Sequence, residues 1–403
     1  MMRVSTNTLF DQGTKSMLQQ QNSLFKLQQQ ISTGKRIATP SDDPIGAAHA
    51  HELTQAASLN AQYMENRQRA GDSLKLVDST LGSVTNLIQN VQSLTVAAGN
   101  PALSDNDRSN MAIELRGRFE ELLGLANTTD DEGNYLFSGF QGKTQPFVQV
   151  AGGVQYAGDQ GQRLAQVSAS RQLPVSETGL AIFEQIKNGN GTFVTAATDI
   201  NNGSGVIGSG SVTDAAKLTG DDYEVKFAVN AGVTTFEVKD MTTNAVLPIG
   251  NAYTSGEAIS FDGLQFAIKG APADGDTFTV QPSRHKSLFT TIGNFITALE
   301  TPASGAAGNA RLTNSMNSTL QNLDHALTNV LGTRAAAGAR LQEVDALQQA
   351  GEDTAVQYQQ SLSRLQDLDF AQAISDLTRQ QALLEAAQQS FIRISGLSLF
   401  NKI

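Results

Sequence analysis

The sequence predicts an α+β multidomain chain: paired N- and C-terminal coiled-coil helices, a long α-helical rod with a β-hairpin region, and an inserted all-β domain in the middle. Three observations carry this. Apolar residues recur at heptad spacing at both ends of the chain. The spacing changes to strict alternation in the middle. Short glycine-containing turns punctuate that alternating stretch.

The strongest periodicity lies in the last third. Met316, Leu320, Leu323, Leu327, Val330, Ala337, Leu341 and Val344 step by four and three, and only Arg334 interrupts them. The register continues through Ala355, Tyr358, Leu362 and Leu365 and slips near Asp367. A second series then runs Phe370, Leu377, Leu384, Phe391, seven apart, with Ile374 between the first two. An apolar stripe on an otherwise polar helix needs another helix to bury it. At the other end, Phe10, Met17, Leu24 and Ile31 are also seven apart, with Leu27 beside them, flanked by glutamine triplets. The simplest partner for each end is the other.

Ser32-Thr33-Gly34 stops the first helix and Pro40 keeps it stopped. Asp43 and Pro44 form an N-cap and a first helical residue. The second helix runs to about Ala98, before Gly99-Asn100-Pro101, which at ~1.5 Å per residue is roughly 80 Å. Its seam is Leu74, Val77, Leu81, Val84, Ile88 and Val91. Ser104 and Asp107 have the spacing of a capping box. The helix they open carries Met111, Leu115, Phe119, Leu122 and Ala126 on one face.

Helical spacing ends at Asn127. Val148 to Tyr156, with Gly152-Gly153 at its centre, reads as a hairpin. Leu164 to Val175 is a further strand-like run, and Ser176 to Lys187 reads as one short helix. From 194 to 282 alternation dominates, as in Tyr223-Glu224-Val225-Lys226-Phe227, with turn signals at Asn230-Ala231-Gly232 and Asp262-Gly263. Eleven acidic residues against four lysines give this stretch −7 of the chain's net −11. The division expected is therefore 1–44 with 352–403 as a terminal coiled-coil domain, 45–193 with 283–351 as the helical rod, and 194–282 as the inserted β domain.

Composition narrows function. A net charge of −11 over 403 residues disfavours nonspecific nucleic-acid binding. No stretch approaches a membrane span, and the first residues lack the apolar core of a secretory signal. With no cysteine and four histidines there is no thiolate chemistry and little material for acid–base work. Gly203-Ser204-Gly205-Val206-Ile207-Gly208 spells a dinucleotide fingerprint, but Ser209-Gly210-Ser211-Val212 cannot open the helix it requires. His49 and His51 are two apart and so point to different sides of a helix. Asp130-Asp131-Glu132 lacks the alternating ligands of a calcium loop. No catalytic residue, cofactor site or metal site is expected, and the chain reads as a non-enzyme.

Four stretches resemble the flagellin family. The run Leu27 to Pro44 is similar to the segment after the first flagellin helix. Arg334-Ala335-Ala336-Ala337-Gly338-Ala339-Arg340-Leu341 resembles the start of the family's C-terminal region. Gly133-Asn134-Tyr135-Leu136-Phe137-Ser138-Gly139 and the end, Gln388 through Phe400, look like the subunits of the hook–filament junction rather than those of the filament. The resemblance covers about 1–190 and 285–403.

It implies a secreted structural subunit of the bacterial flagellum. Such subunits form a junction ring that joins the hook, through hook-associated protein 1, to the flagellin filament. The implied partners are hook-associated protein 1, flagellin, further copies of the same chain and a flagellar export chaperone. The resemblance implies neither nucleic-acid binding nor membrane insertion, and export through the flagellar secretion channel. Phe10, Met17, Leu24, Leu27, Ile31, Phe370, Leu377, Leu384, Phe391, Leu399 and Phe400 are the expected subunit-packing residues. The alternatives are a filament subunit and, from another class, a cytoplasmic coiled-coil scaffold.

Overall fold

The structure is a computed structural model that describes residues 6–250 and 252–400; for Thr6, Asn7, Leu9 and 394–400 it describes the backbone only. The chain divides into two compact units, Met1–Asn66 with Ala346–Ile403, and Arg67–Asp345. The first unit thus reaches 22 residues beyond 44 on the N-terminal side and begins six residues before 352 on the C-terminal side. The β insertion falls within the larger unit.

In the first unit, α1 (Thr6–Thr33) lies antiparallel to α6 (Phe370–Phe400). Phe10 meets Phe391, whereas Gly34, just past the other end of α1, faces Phe370. The remainder of the unit comes from α2 (Pro44–Ala98) and α5 (Gly305–Gln366). Asn60 Nδ2 of α2 donates to the Gly351 carbonyl of α5 at 2.8 Å. Asp43 caps α2 through the Gly46 N–H at 2.9 Å, and Pro44 occupies its first position. Asp369 caps α6 through the Gln372 N–H at 3.1 Å. The register slip near Asp367 is thus a break between two helices.

The second unit begins from the predicted seam of α2. Leu74, Val77, Leu81, Val84, Ile88 and Val91 are all buried. They share a core with Leu115 and Leu122 of α3 (Asp105–Ala126), with α4 (Leu288–Glu300), and with Leu323, Ala326 and Val330 of α5. Ser104 and Asp107 form the expected capping box. Phe119, Phe137, Phe147, Phe183 and Phe289 extend this core in edge-on and tilted pairs 5.2 to 6.1 Å apart.

Between α3 and α4, β1 (Phe147–Val150) and β2 (Gly153–Tyr156) make the predicted hairpin. The run from Leu164 is not one strand. It folds back as β3 (Leu164–Ser168) and β4 (Arg171–Pro174), with Ser168 opposite Arg171. The two turn residues, Ala169 and Ser170, carry no glycine, asparagine or proline signal. The helix expected over 176–187 is only a π-helical turn, Leu180–Glu184. Asn329 of α5 takes the carbonyls of Ala181 and Ile182 at 2.8 and 3.0 Å. The chain then extends as β5 (Ile186–Lys187) to pair with β14 (His285–Lys286).

The insertion has a hydrophobic core of its own. Its strands are β6 (Phe193–Ala197), β7 (Val206–Ile207), β8 (Ser211–Val212), β9 (Tyr223–Asn230), β10 (Val233–Asp240), β11 (Ala258–Phe261), β12 (Leu264–Lys269) and β13 (Thr277–Pro282). One sheet runs β10-β9-β13-β6 and the other β11-β12-β7, with β8 also on β12. Tyr223, Val225 and Phe227 alternate inward along β9, as do Leu264, Phe266 and Ile268 along β12. Ala231 and Gly232 both have positive φ, 49° and 83°, as do Asp262 and Gly263, 43° and 77°. These are the two-residue primed turns that match strand twist. A Cβ on Gly263 would lie 2.1 Å from the Asp214 carbonyl oxygen, so only glycine fits there. The first and last strands pair with each other, Phe193 opposite Pro282.

Candidate assembly surface

On α1 the half-buried positions include a stripe of Phe10, Gly13, Met17, Gln20, Leu24, Leu27 and Ile31, followed by Gly34, with Gln30 beside it. The stripe steps alternately by three and four. On α6, Ala373 is buried and Leu377, Gln380, Leu384, Ala387 and Phe391 are half-buried at the same spacing. The heptad residues expected to pack against other subunits therefore pack within the chain, each end covering the other. Phe370 begins the α6 stripe and is about half exposed, with its ring over Gly34. Leu399 and Phe400 belong to α6, but their side chains lie outside the described residues.

What the hairpin leaves uncovered is a second apolar set. Leu18 and Phe25 on α1 are 55% and 70% exposed, and Ile374, Leu383 and Ile392 on α6 are 54%, 48% and 66% exposed. Sequence periodicity singled out only Ile374 among them, because the rest fall between seam positions, where polar residues were expected. The signal available was their size: isoleucine and phenylalanine at positions that solvation alone would give to glutamine or serine.

The two links beside this hairpin are joined. Leu368 N–H donates to the Gly34 carbonyl at 2.9 Å, Arg36 N–H to the Gln366 carbonyl at 2.6 Å, and Arg36 Nη2 to the Leu365 carbonyl at 2.8 Å. Asp42 accepts from Lys26 at 2.9 Å and from the Ala38 and Thr39 N–H groups. The lysine first, then the Thr39 amide, hold its carboxyl down to about 2. Most of the motif from Leu27 to Pro44 therefore serves this junction.

In the second unit the arginine motif is also structural. Arg334, which interrupts the α5 seam, donates through Nε to Asp78 Oδ1 of α2 at 3.0 Å. Arg340 pairs with Glu177, whose other oxygen accepts from Gln162 at 2.9 Å. His49 and His51 are exposed, and the Gly203–Gly208 run is a loop that contains the two-residue strand β7 and opens no helix. Among the described residues no group of three or more His, Asp or Glu could hold a metal, and no helix is long and apolar enough to cross a membrane.

Paired terminal helices enclosing a mixed middle define the class of flagellin-like axial proteins, and the comparisons agree. Residues 4–142 match the bacterial flagellin N-terminal helical region, and residues 197–282 match a flagellar hook-associated protein 1, D2-like domain. The chain belongs to the flagellar hook-associated protein 3 family. It is 30% identical over 400 residues to the flagellar hook-associated protein 3 of Salmonella typhimurium, covering 99% of each chain, and 31% identical to that of Escherichia coli over the same shares. A flagellar hook-associated protein 3 from Legionella pneumophila superposes with a TM-score of 0.74 at 31% identity, covering 78% of this chain and 98% of that one. Xanthomonas campestris FlgL gives 0.72 at 31%, covering 77% and 99%. Flagellin from Listeria monocytogenes, at 26% identity, covers 32% of this chain and 45% of its own length.

Proposed function

We propose that this chain is a structural subunit of the bacterial flagellum, secreted to the hook–filament junction, where copies form a ring between hook-associated protein 1 and the flagellin filament. The reading is supported by a likeness that runs the full length of hook-associated protein 3, whereas the likeness to flagellins stops at about a third of the chain. That contrast favours a junction subunit over a filament subunit.

The observation that carries the assembly role is the uncovered apolar set on α1 and α6. A helix pair that has already buried its seam and still exposes phenylalanine and isoleucine calls for neighbours. In this reading the seam residues fold the subunit, and Leu18, Phe25, Ile374, Leu383 and Ile392 join it to the next. The partners are copies of the same chain, hook-associated protein 1 and flagellin, with an export chaperone holding the chain before secretion. The working division remains terminal helices, helical middle and β insertion at 194–282. Nucleic acid, membrane insertion and catalysis have no place in it.

A strain lacking its own junction protein and carrying this chain tests the proposal. Filaments should return on hooks, and the chain should be a trace component of sheared flagella beside abundant flagellin. Absence of filaments despite secretion of the chain would overturn it, and dominance of the chain in the sheared material would favour the filament reading.

A further inference from the structure

A cleft of about 1050 Å3 opens between the β insertion and the helices beneath it, within the second unit. One wall is β6 and the end of β7, and the other is α4 and the first turns of α5. The volume is at the upper end of the range of about 300–1,000 Å3 usual for small-molecule sites. Its walls are tied together. Asn314 of α5 accepts from the Ile207 N–H at 2.9 Å and donates to the Gly205 carbonyl at 3.0 Å. Arg311 Nη1 donates to the Asp199 carbonyl at 3.3 Å. The space is therefore held open by the fold.

Its chemistry is unlike the surface around it. In a chain of net charge −11, the cleft brings together two cations, Lys286 and Arg311, with Asp199 as its single carboxylate. The Lys286 ammonium has no hydrogen-bond or ion-pair partner among the described residues, and burial pulls it below the ordinary lysine pKa. An ammonium withdrawn from water without a counter-ion is unfavourable, and an anion in the cleft relieves it. Much of the remaining lining is hydroxyl and amide, as in Thr195, Ser209, Thr297 and Asn317. Lys286 precedes the first residue of α4, and Arg311 follows the link beyond its last. The thirteen residues of α4 and the first turn of α5 lie between them in the chain. A single small oxyanion cannot fill the cleft or use its hydroxyl and amide lining as well as its cations. A chain of hydroxylated rings bearing carboxylates can.

We propose that the cleft between the β insertion and α4–α5 binds an acidic oligosaccharide, with Lys286 and Arg311 taking acid groups and the hydroxyl and amide walls taking ring hydroxyls. This goes beyond assembly and does not depend on it: the cleft holds none of the apolar residues assigned to subunit packing.

The test is calorimetric titration of the full chain with trigalacturonic acid, beside maltotriose and inorganic sulfate. Trigalacturonate should bind saturably. Maltotriose, of similar size and uncharged, should bind at least about tenfold more weakly, a difference of about 1.4 kcal/mol. Sulfate should compete weakly. Lys286→Met and Arg311→Gln should each weaken trigalacturonate by about tenfold or more while the thermal transition stays in place. Thr297→Val, which keeps both charges and the fold, should weaken it by a smaller factor. No saturable binding of trigalacturonate, equal binding of maltotriose, or full binding by a folded Lys286→Met/Arg311→Gln double variant would each overturn the proposal.

Discussion

Phe391, late in α6, meets Phe10, early in α1, edge to face, with ring centroids 5.4 Å apart and planes at 86°. Gly13, one turn further along α1, leaves room for the Phe391 ring: a Cβ there would lie 3.0 Å from its Cδ2 atom. A side chain larger than methyl must displace the phenylalanine. Gly13→Leu should therefore weaken the hairpin by about 1–3 kcal/mol, the usual cost of overpacking. Amide exchange in α1 and α6 of the monomer should quicken, with the Arg67–Asp345 unit unchanged. Unchanged protection in both helices would show that the aromatic contact does not hold them.

Seam and outer-face residues should behave differently when charged. Leu384→Asp places a carboxylate in the seam and should loosen α1 and α6 in the monomer. Phe25→Asp and Ile392→Asp lie on exposed positions and should change monomer stability by less than about 0.5 kcal/mol. Cells carrying either should secrete the subunit but lack filaments. Electron microscopy showing normal filament numbers with both outer-face variants would refute the assembly surface assigned here.

Two arginine pairs should differ in cost. Arg340→Gln leaves the nearly buried Glu177 without its cation and should destabilise the second unit by about 2–4 kcal/mol in urea unfolding. Arg116→Gln removes the exposed pair with Glu300, 2.6 Å apart, and should cost less than about 1 kcal/mol. Equal costs would mean that burial does not rank these pairs.

The β insertion should be removable. Its first and last strands are paired, its core is separate, and Gly189 just outside it is held to α5 by His325 at 2.8 Å and Asn322 at 3.3 Å. Replacing 194–282 with a short Gly/Ser linker should leave the helical core folded and filaments attached to hooks. A stable, exported product with bare hooks would show that the insertion makes essential contacts.

Glu184 gives a pH dependence. Burial raises its pKa, and the Ser287 hydroxyl that donates to it at 2.9 Å opposes this only in part. The folded state thus holds the proton more tightly than the unfolded chain. Its contribution to stability is complete below the ordinary carboxyl pKa and declines as pH rises through the raised folded value. Glu184→Gln should remove that decline, raising Tm at neutral pH relative to the parent and leaving it nearly unchanged at pH 4. An identical pH profile in parent and variant would exclude Glu184 as its source.

The helices and their caps were legible because each signal is local. The α2 seam, the Ser104 capping box and the turn at Asp262-Gly263 depend on residues a few positions apart. The π-helical turn at Leu180–Glu184 was not, since Asn329, far along the chain, takes its carbonyls. The β3–β4 turn was missed because Ala169-Ser170 carries no glycine, asparagine or proline. At the candidate surface, heptad spacing found the stripes by which α1 and α6 cover each other, and of the exposed set beside them only Ile374. Periodicity reports that a stripe will be buried, and it is silent on whether the partner is the same chain or another. Arg334 was visible as an interruption, but its reason, Asp78, could only be read in three dimensions.

The hydrogen bonds joining Gly34 and Arg36 to Leu368 and Gln366 bind two links separated by most of the chain's length. A pull on α1 alone is passed through them to α6 before it reaches the backbone beyond either link. The tie joins the bases of both helices, so neither link moves far from the other while its bonds hold. In a part of a rotating machine, that arrangement works as a rivet: tension entering at either terminus is shared by both.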